Sequence, residues 1–356
     1  MRHRAAARDP RDQGKIHMTK TILHKTIVNT LAATALALGL GSPAMALDEV
    51  SYGTNWLAQA EHGGFYQAVA DGTYEKYGLK VKIVQGGPNA ANQALLIAGK
   101  VDFYMGSPLQ QLDAVKQGIP LIDVAAMFQK DPQVLIAHPD QGIEKFGDLA
   151  KLDTIFMGKD GYATYFEWMK KNYPGFKDEQ YKPYTFNPAP FLANKKSAQQ
   201  GYITSEPYEI EKQGGFKPKL FLLADNGYTP YATMITTTQT MVDKKPDVVQ
   251  RFIDASTEGW YKYLYGDNKA ANELIKKDNP EITDSQIAFS IEKMKEYGIV
   301  DSGPTLEKGI GCMTDKDYKK FFDTMVQIGV VDAKLDYNKA YTTKFVCKGV
   351  GLNLKK

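Results

Sequence analysis

Between residues 48 and 128 the chain alternates β-prone apolar runs with stretches of helical period, and this alternation constrains its fold more than any other feature. A first strand through Val50 and Tyr52 leads into a helical stretch from Gly64 to Tyr77, and Lys80 to Val84 reads as the second strand. Gly86-Gly87-Pro88 turns the chain into a helix over Asn89 to Ala98, where Ala91, Ala94, Leu95 and Ala98 share one face. The strand Val101 to Met105 follows at once, Gly106-Ser107-Pro108 opens a helix to Lys116, and Leu121 to Phe128 is a further strand. Parallel strands cannot be joined by a tight hairpin, so strand–helix–strand alternation predicts a parallel sheet with helices on both faces.

A second alternating set begins after the β-like run Gln133 to His138, which ends at Pro139. Its expected strands are Thr154 to Met157, Tyr181 to Phe186, Gly201 to Thr204 and Lys219 to Leu223, with helices between them. Pro230 to Thr237 would then bring the chain back to the first set. One crossing out and one back predict two α/β lobes with a cleft between them, residues 47–137 plus 231–356 forming the first and 138–230 the second. From Met241 onward the pattern changes to long amphipathic helices, Pro246 to Leu264, Lys269 to Lys277, Asp284 to Tyr297 and Asp315 to Ile328. Their apolar stripes are expected to pack on the first lobe.

The first 46 residues stand outside this scheme. An Arg-rich start is followed by Met18, which reads as the true start of a Lys-containing segment, an uncharged run from Ile27 to Leu40, and Ala44-Met45-Ala46. That is the order of a cleaved export signal, with cleavage after Ala46, and the apolar run falls short of the ~20 residues a membrane span needs. The expected location is therefore the periplasm. The leader carries seven of the 44 Lys and Arg residues and two of the 41 Asp and Glu, so the remainder holds 37 basic against 39 acidic groups. Such a balance gives nucleic acid no purchase. Arg251 is the one arginine left after the leader, which points away from a ligand needing bidentate anion recognition. Only His62 and His138 remain among the histidines, and neither has a ligand-spaced partner, so no metal is expected. In an oxidising compartment Cys312 and Cys347 suit a disulfide, the alternative being two buried thiols.

Ligands of open α/β sheets sit beyond the C-terminal ends of the strands, where loops and helix N-termini converge. That rule selects Asn55, Trp56, His62, Phe65 and Tyr66 after the first strand, and Ser107 and Gln110 after the third. It adds Phe128 after the fourth, and Tyr162, Thr164 and Glu206 at helix starts in the second lobe. Aromatic rings in this set can stack on a planar ligand, amides and hydroxyls can complete its hydrogen bonds, and Glu206 can accept from an amine. Trp56, Phe65 and Tyr66 equally suit a core, and Glu206 equally suits a helix N-terminus. There is no G-x-S-x-G elbow, no P-loop and no G-x-G-x-x-G after a strand, so no catalytic residue and no cofactor is expected.

The run N-W-x-x-x-x-E-H-G-G-F-Y (Asn55 to Tyr66), the later Gly78-Leu79 and Gly86 to Pro88, and G-Y-I-T-S-E-P-Y (Gly201 to Tyr208) resemble a known family. It is that of the substrate-binding proteins of ABC importers related to thiamine-pyrimidine-precursor binders, the SsuA/THI5-like group, over about residues 48 to 265. The resemblance implies a type II periplasmic binding protein fold. It implies a monomer that takes a small heteroaromatic ligand, a formylated aminopyrimidine or hydroxymethylpyrimidine, to a membrane permease with a cytoplasmic ATPase. By position, Trp56 and Tyr66 match stacking groups and Glu206 an amine acceptor. Relatives of the group bind sulfonates, riboflavin or other ring compounds. The fungal pyrimidine synthases share the fold but use a cofactor-holding lysine and a histidine set, and two histidines do not supply that set.

Overall fold

The computed structural model describes residues 46–87 and 91–355, so the expected export signal lies outside the described residues. Two five-stranded sheets organise the chain. The first has the order β2-β1-β3-β10-β4, built from β1 (Asp48–Gly53), β2 (Leu79–Val84), β3 (Phe103–Gly106), β4 (Leu121–Phe128) and β10 (Ala232–Thr238). The second has the order β7-β6-β8-β5-β9, built from β5 (Gln133–Ala137), β6 (Thr154–Met157), β7 (Tyr181–Pro183), β8 (Ser197–Tyr202) and β9 (Lys219–Leu222). In each sheet the strand that follows a crossing runs antiparallel between two others: β5 between β8 and β9, and β10 between β3 and β4. The two crossings are the short links 129–132 and 223–231.

Two sequence expectations need correction. Gln133–Ala137, assigned above to the first lobe, is hydrogen bonded wholly within the second sheet, because the chain crosses before this strand and not after it. The strand expected at Gly201 to Thr204 is Ser197–Tyr202. Its residues SAQQGY carry no apolar alternation, yet Gln199 and Gln200 are buried, and Gln200 Oε1 accepts from Gly158 N and Tyr165 Oη, each at 2.7 Å. A central strand can be polar when its amides hold neighbouring loops.

The helices that matter for the cleft are α1 (Gly63–Ala70), α2 (Asn92–Ile97), α3 (Pro108–Gln117), α4 (Glu206–Gly214), α5 (Pro246–Tyr265), α6 (Lys269–Asp278), α7 (Asp284–Glu296) and α8 (Asp315–Gln327). The C-terminal helices pack on the first lobe through α1 and α5. Glycine makes that contact possible: a Cβ on Gly64 would lie 2.2 Å from the Trp260 ring, and one on Gly259 2.2 Å from the Gly64 carbonyl oxygen. Helix α7 also reaches the second lobe, where Ser290 Oγ donates to the Thr204 carbonyl at 2.7 Å and Phe289 lies 5.5 Å from the Tyr208 ring. Cys312 and Cys347 are joined as a disulfide. The tail beyond Asp336 pairs with β4, Asp123 N donating to Ala340 O and Thr342 N to Asp123 O, each at 2.9 Å. Among the described residues no helix is long and apolar enough to cross a membrane.

Candidate binding cleft

The loop after β1 is fixed before its aromatic residue is presented. Thr54 is wholly buried, its Oγ1 donates to Trp56 O at 2.9 Å and accepts from Gly86 N at 3.1 Å, and its carbonyl accepts from Asn92 Nδ2 at 2.5 Å. Gly86 is needed where the two loops cross, since a Cβ there would meet Thr54 O at 2.1 Å. Four residues after Thr54, Ala58 N donates to Gln85 Oε1 at 2.6 Å. Trp56 therefore leaves a pinned loop, half-buried, with its ring centroid 4.9 Å from that of Phe186 in the second lobe. Phe186 follows β7 with a positive φ of 59°, a conformation a bulky residue rarely adopts, and is 52 % exposed. Held in this way, the two rings bring the loop after β1 into contact with the segment after β7, their planes inclined at 47°.

The loop that carries Trp56 also carries a buried carboxyl group. Glu61, only 2 % exposed, accepts from Thr204 Oγ1 at 2.5 Å, a hydrogen bond running from the loop after β1 to the turn after β8 in the other sheet. Burial, and then the charge of Glu206, raise Glu61 to about 7 despite that bond. Glu206 opens α4, accepts from Tyr202 N at 2.7 Å, and is likewise raised by burial. In the crossing between β4 and β5, Asp131 accepts from Gln133 N at 3.0 Å and is raised to about 7, again by burial. The Tyr202 hydroxyl feels all three charges. Among the described residues no lysine or arginine contributes to the shift of any of the three carboxyl groups.

His62 is wholly buried and donates from Nε2 to Asn55 Oδ1 at 3.2 Å, which leaves Nδ1 a bare acceptor with no partner. Burial lowers its pKa to about 3, so the ring is neutral at physiological pH. It positions Asn55 and does not supply positive charge.

The structure divides the other sequence candidates. Thr164 sits in a π-helical turn (Tyr162–Phe166) at the end of β6, its Oγ1 donating to Asp160 O at 2.6 Å. Ser107 caps α3 beyond β3, accepting from Gln110 N at 3.4 Å, and Gln110 is exposed. Phe65, Tyr66 and Phe128 are core and not cleft. Phe65 packs between Tyr52, at 4.3 Å, and Trp260, at 5.9 Å. Phe128 packs 5.6 Å from Trp260, and Tyr66 donates from its hydroxyl to Asp278 on α6 at 2.7 Å. Tyr162 stacks on Tyr181 of the edge strand at 4.2 Å and donates to Asp178 at 3.0 Å, so it too is occupied elsewhere. Glu61, Phe186, Asp131 and Thr204, which these contacts bring in, were not among the sequence candidates. Glu61 stands inside the motif that singled out His62, and a carboxylate beside an apolar helix start was the available signal.

Comparison with known proteins agrees with this architecture. A family model described as NMT1/THI5 like matches residues 59–271. The chain belongs to that family. Over 328 residues, 90 % of this chain and 92 % of the other, it is 23 % identical to the riboflavin-binding protein RibY of Chloroflexus aurantiacus. It is 26 % identical over 117 residues to the 4-amino-5-hydroxymethyl-2-methylpyrimidine phosphate synthase of Schizosaccharomyces pombe, about a third of each chain, 33 % and 34 %. The crystal structure of the periplasmic aliphatic sulphonate binding protein SsuA of Escherichia coli has a TM-score of 0.57 at 14 % identity, covering 82 % of this chain and 91 % of that one. The fold is thus the two-lobed type II periplasmic binding fold.

Proposed function

We propose that this protein is the extracytoplasmic ligand-binding component of an ABC importer, and that its cleft takes an amino-substituted heteroaromatic ring of the thiamine-pyrimidine-precursor type. The observation that carries the reading is the contact of Trp56 with Phe186 between the lobes, together with buried carboxyl groups whose shifts, among the described residues, owe nothing to a lysine or arginine. Rings at the mouth offer π-faces to a planar ligand. The buried acceptors suit the N–H groups of an aminopyrimidine, whose exocyclic amino group donates to a carboxylate. An anionic sulfonate would meet carboxyl groups and no arginine fork, so likeness of fold to a sulfonate binder does not extend to its ligand. Residues from both lobes would line the ligand, and hinge bending at the two crossings would enclose it and form the surface a permease reads.

A second reading has an observation in its favour. The similarity to a riboflavin-binding protein runs nearly the whole length of both chains, and a flavin ring also stacks and donates from N–H. Calorimetry with 4-amino-5-hydroxymethyl-2-methylpyrimidine, its formylamino counterpart, riboflavin and taurine separates the two. Tight binding of a pyrimidine is expected; binding of riboflavin alone would replace the ligand assignment, and binding of taurine alone would overturn it. A synthase activity has less support, because His62 is neutral and held by Asn55.

A further inference from the structure

Glu61 serves no purpose that a stability argument explains. A glutamate with 2 % exposure and one hydrogen bond, set near a second carboxyl group, costs more to bury than an amide of the same shape. Two further buried polar atoms have no partner among the described residues, one near each carboxyl group. Tyr263 on α5 is wholly buried with an unpaired hydroxyl, near enough for the charge of Glu61 to act on it. On the other lobe Gln199 is wholly buried with an unpaired Oε1, and its Nε2 lies 3.5 Å from the hydroxyl of Tyr184, which feels Glu206. Unpaired buried donors and acceptors on both walls, flanking two carboxyl groups, are the mark of a surface completed by a ligand.

We propose that Glu61 is a specificity-determining residue: with Glu206 on the opposite lobe it forms a two-carboxyl seat that accepts the N–H groups of the ligand's amino edge. This rests on the reading that the cleft takes an amino heterocycle, and names the residue that selects it. The two halves of the seat already meet between the lobes, since Glu61 in the loop after β1 is bonded to Thr204, two residues before Glu206. The other groups around Glu61 are Thr204 on the turn after β8, Tyr202 on β8, Tyr263 on α5 and neutral His62 beside it; α7 contributes Ser290, bonded to the Thr204 carbonyl. None brings positive charge, so an N–H donor from the ligand favours the ionised seat. Ligand binding then strengthens as pH rises through the value to which burial lifts Glu61, about 7.

The test compares the wild type with Glu61→Gln and Thr204→Val, using 4-amino-5-hydroxymethyl-2-methylpyrimidine as the probe and calorimetry from pH 5.5 to 8.5. Glu61→Gln keeps the shape and an acceptor for Thr204 but loses the charge. It should weaken the probe at pH 8 at least tenfold and flatten the pH profile. Thr204→Val removes the tie between lobes and should keep the rise with pH. Melting curves of both variants confirm that they fold. If Glu61→Gln binds like the wild type, or if Thr204→Val loses the pH dependence equally, Glu61 is a tie between lobes and the proposal falls while the ligand reading stands. A wild type that binds no amino heterocycle takes both down.

Discussion

At the scale of single residues, the cleft shows how burial sets chemistry. Trp56 is placed by backbone and side-chain bonds on either side of it, and its half-buried ring meets Phe186 at 4.9 Å and not the core of its own lobe. Trp56→Ala should weaken an aromatic ligand by about 1 kcal/mol or more, and calorimetry that finds no change would return the residue to a packing role. Burial also lifts three carboxyl groups, Glu61 and Asp131 to about 7 and Asp123 to about 8. Asp123 accepts from Thr236 Oγ1 at 2.5 Å and from Tyr318 Oη at 3.2 Å inside the first lobe. A carboxyl group whose folded-state value exceeds its unfolded one holds its proton more tightly when folded. The stability this supplies is complete below the unfolded value and is lost as pH rises through the folded value. Melting temperature should therefore fall between pH 5 and 8, and Asp123→Asn should make the fall shallower; an equally steep fall in the variant would show that Asp123 is already ionised.

At the scale of elements, the Gly63-Gly64 pair after His62 is explained by packing. It starts α1, and its missing Cβ atoms let α1 meet Tyr263 and Trp260 on α5, which holds the cleft loop after β1 against the C-terminal helices. Gly64→Ala should cost about 1 to 3 kcal/mol through overpacking, read as a lowered denaturation midpoint. Gly87→Ala, whose new methyl would lie 3.9 Å from Leu57 Cδ2, should be far milder. If the two variants are equally stable, α1 and α5 have room that the contact distances deny. Strand β8 makes the converse point. Its Gln199 and Gln200 look like loop residues, and only the bonds they make to Gly158, Tyr165 and Tyr184 in the folded chain turn them into a central strand.

At the scale of the whole molecule, the Cys312–Cys347 bridge, 35 residues apart, ties the end of the chain to the segment before α8. In the loop-entropy account such a bridge contributes about 3 to 4 kcal/mol. Replacing both cysteines by alanine should lower the unfolding free energy by that order, and an unchanged denaturation midpoint would mean that the tail docks without it. Two lobes and the C-terminal helices were legible in the alternation and periodicity of the chain, because each element shows which of its faces is buried; the position of the first crossing was not. The same periodicity does not show what a face is buried against. Phe65, Tyr66 and Phe128 read as well for a pocket as for a core, and long-range contacts with Trp260 and Asp278 decided for the core. Residues 133–137 are a strand in either sheet, and pairing with β8 and β9 decided which. The motif around Asn55 to Tyr66 singled out the loop after β1, which the structure brings against the second lobe. That Trp56 faces Phe186 and Glu61 faces Thr204, some 130 and 143 residues away in sequence, follows from the approach of two sheets and from nothing local.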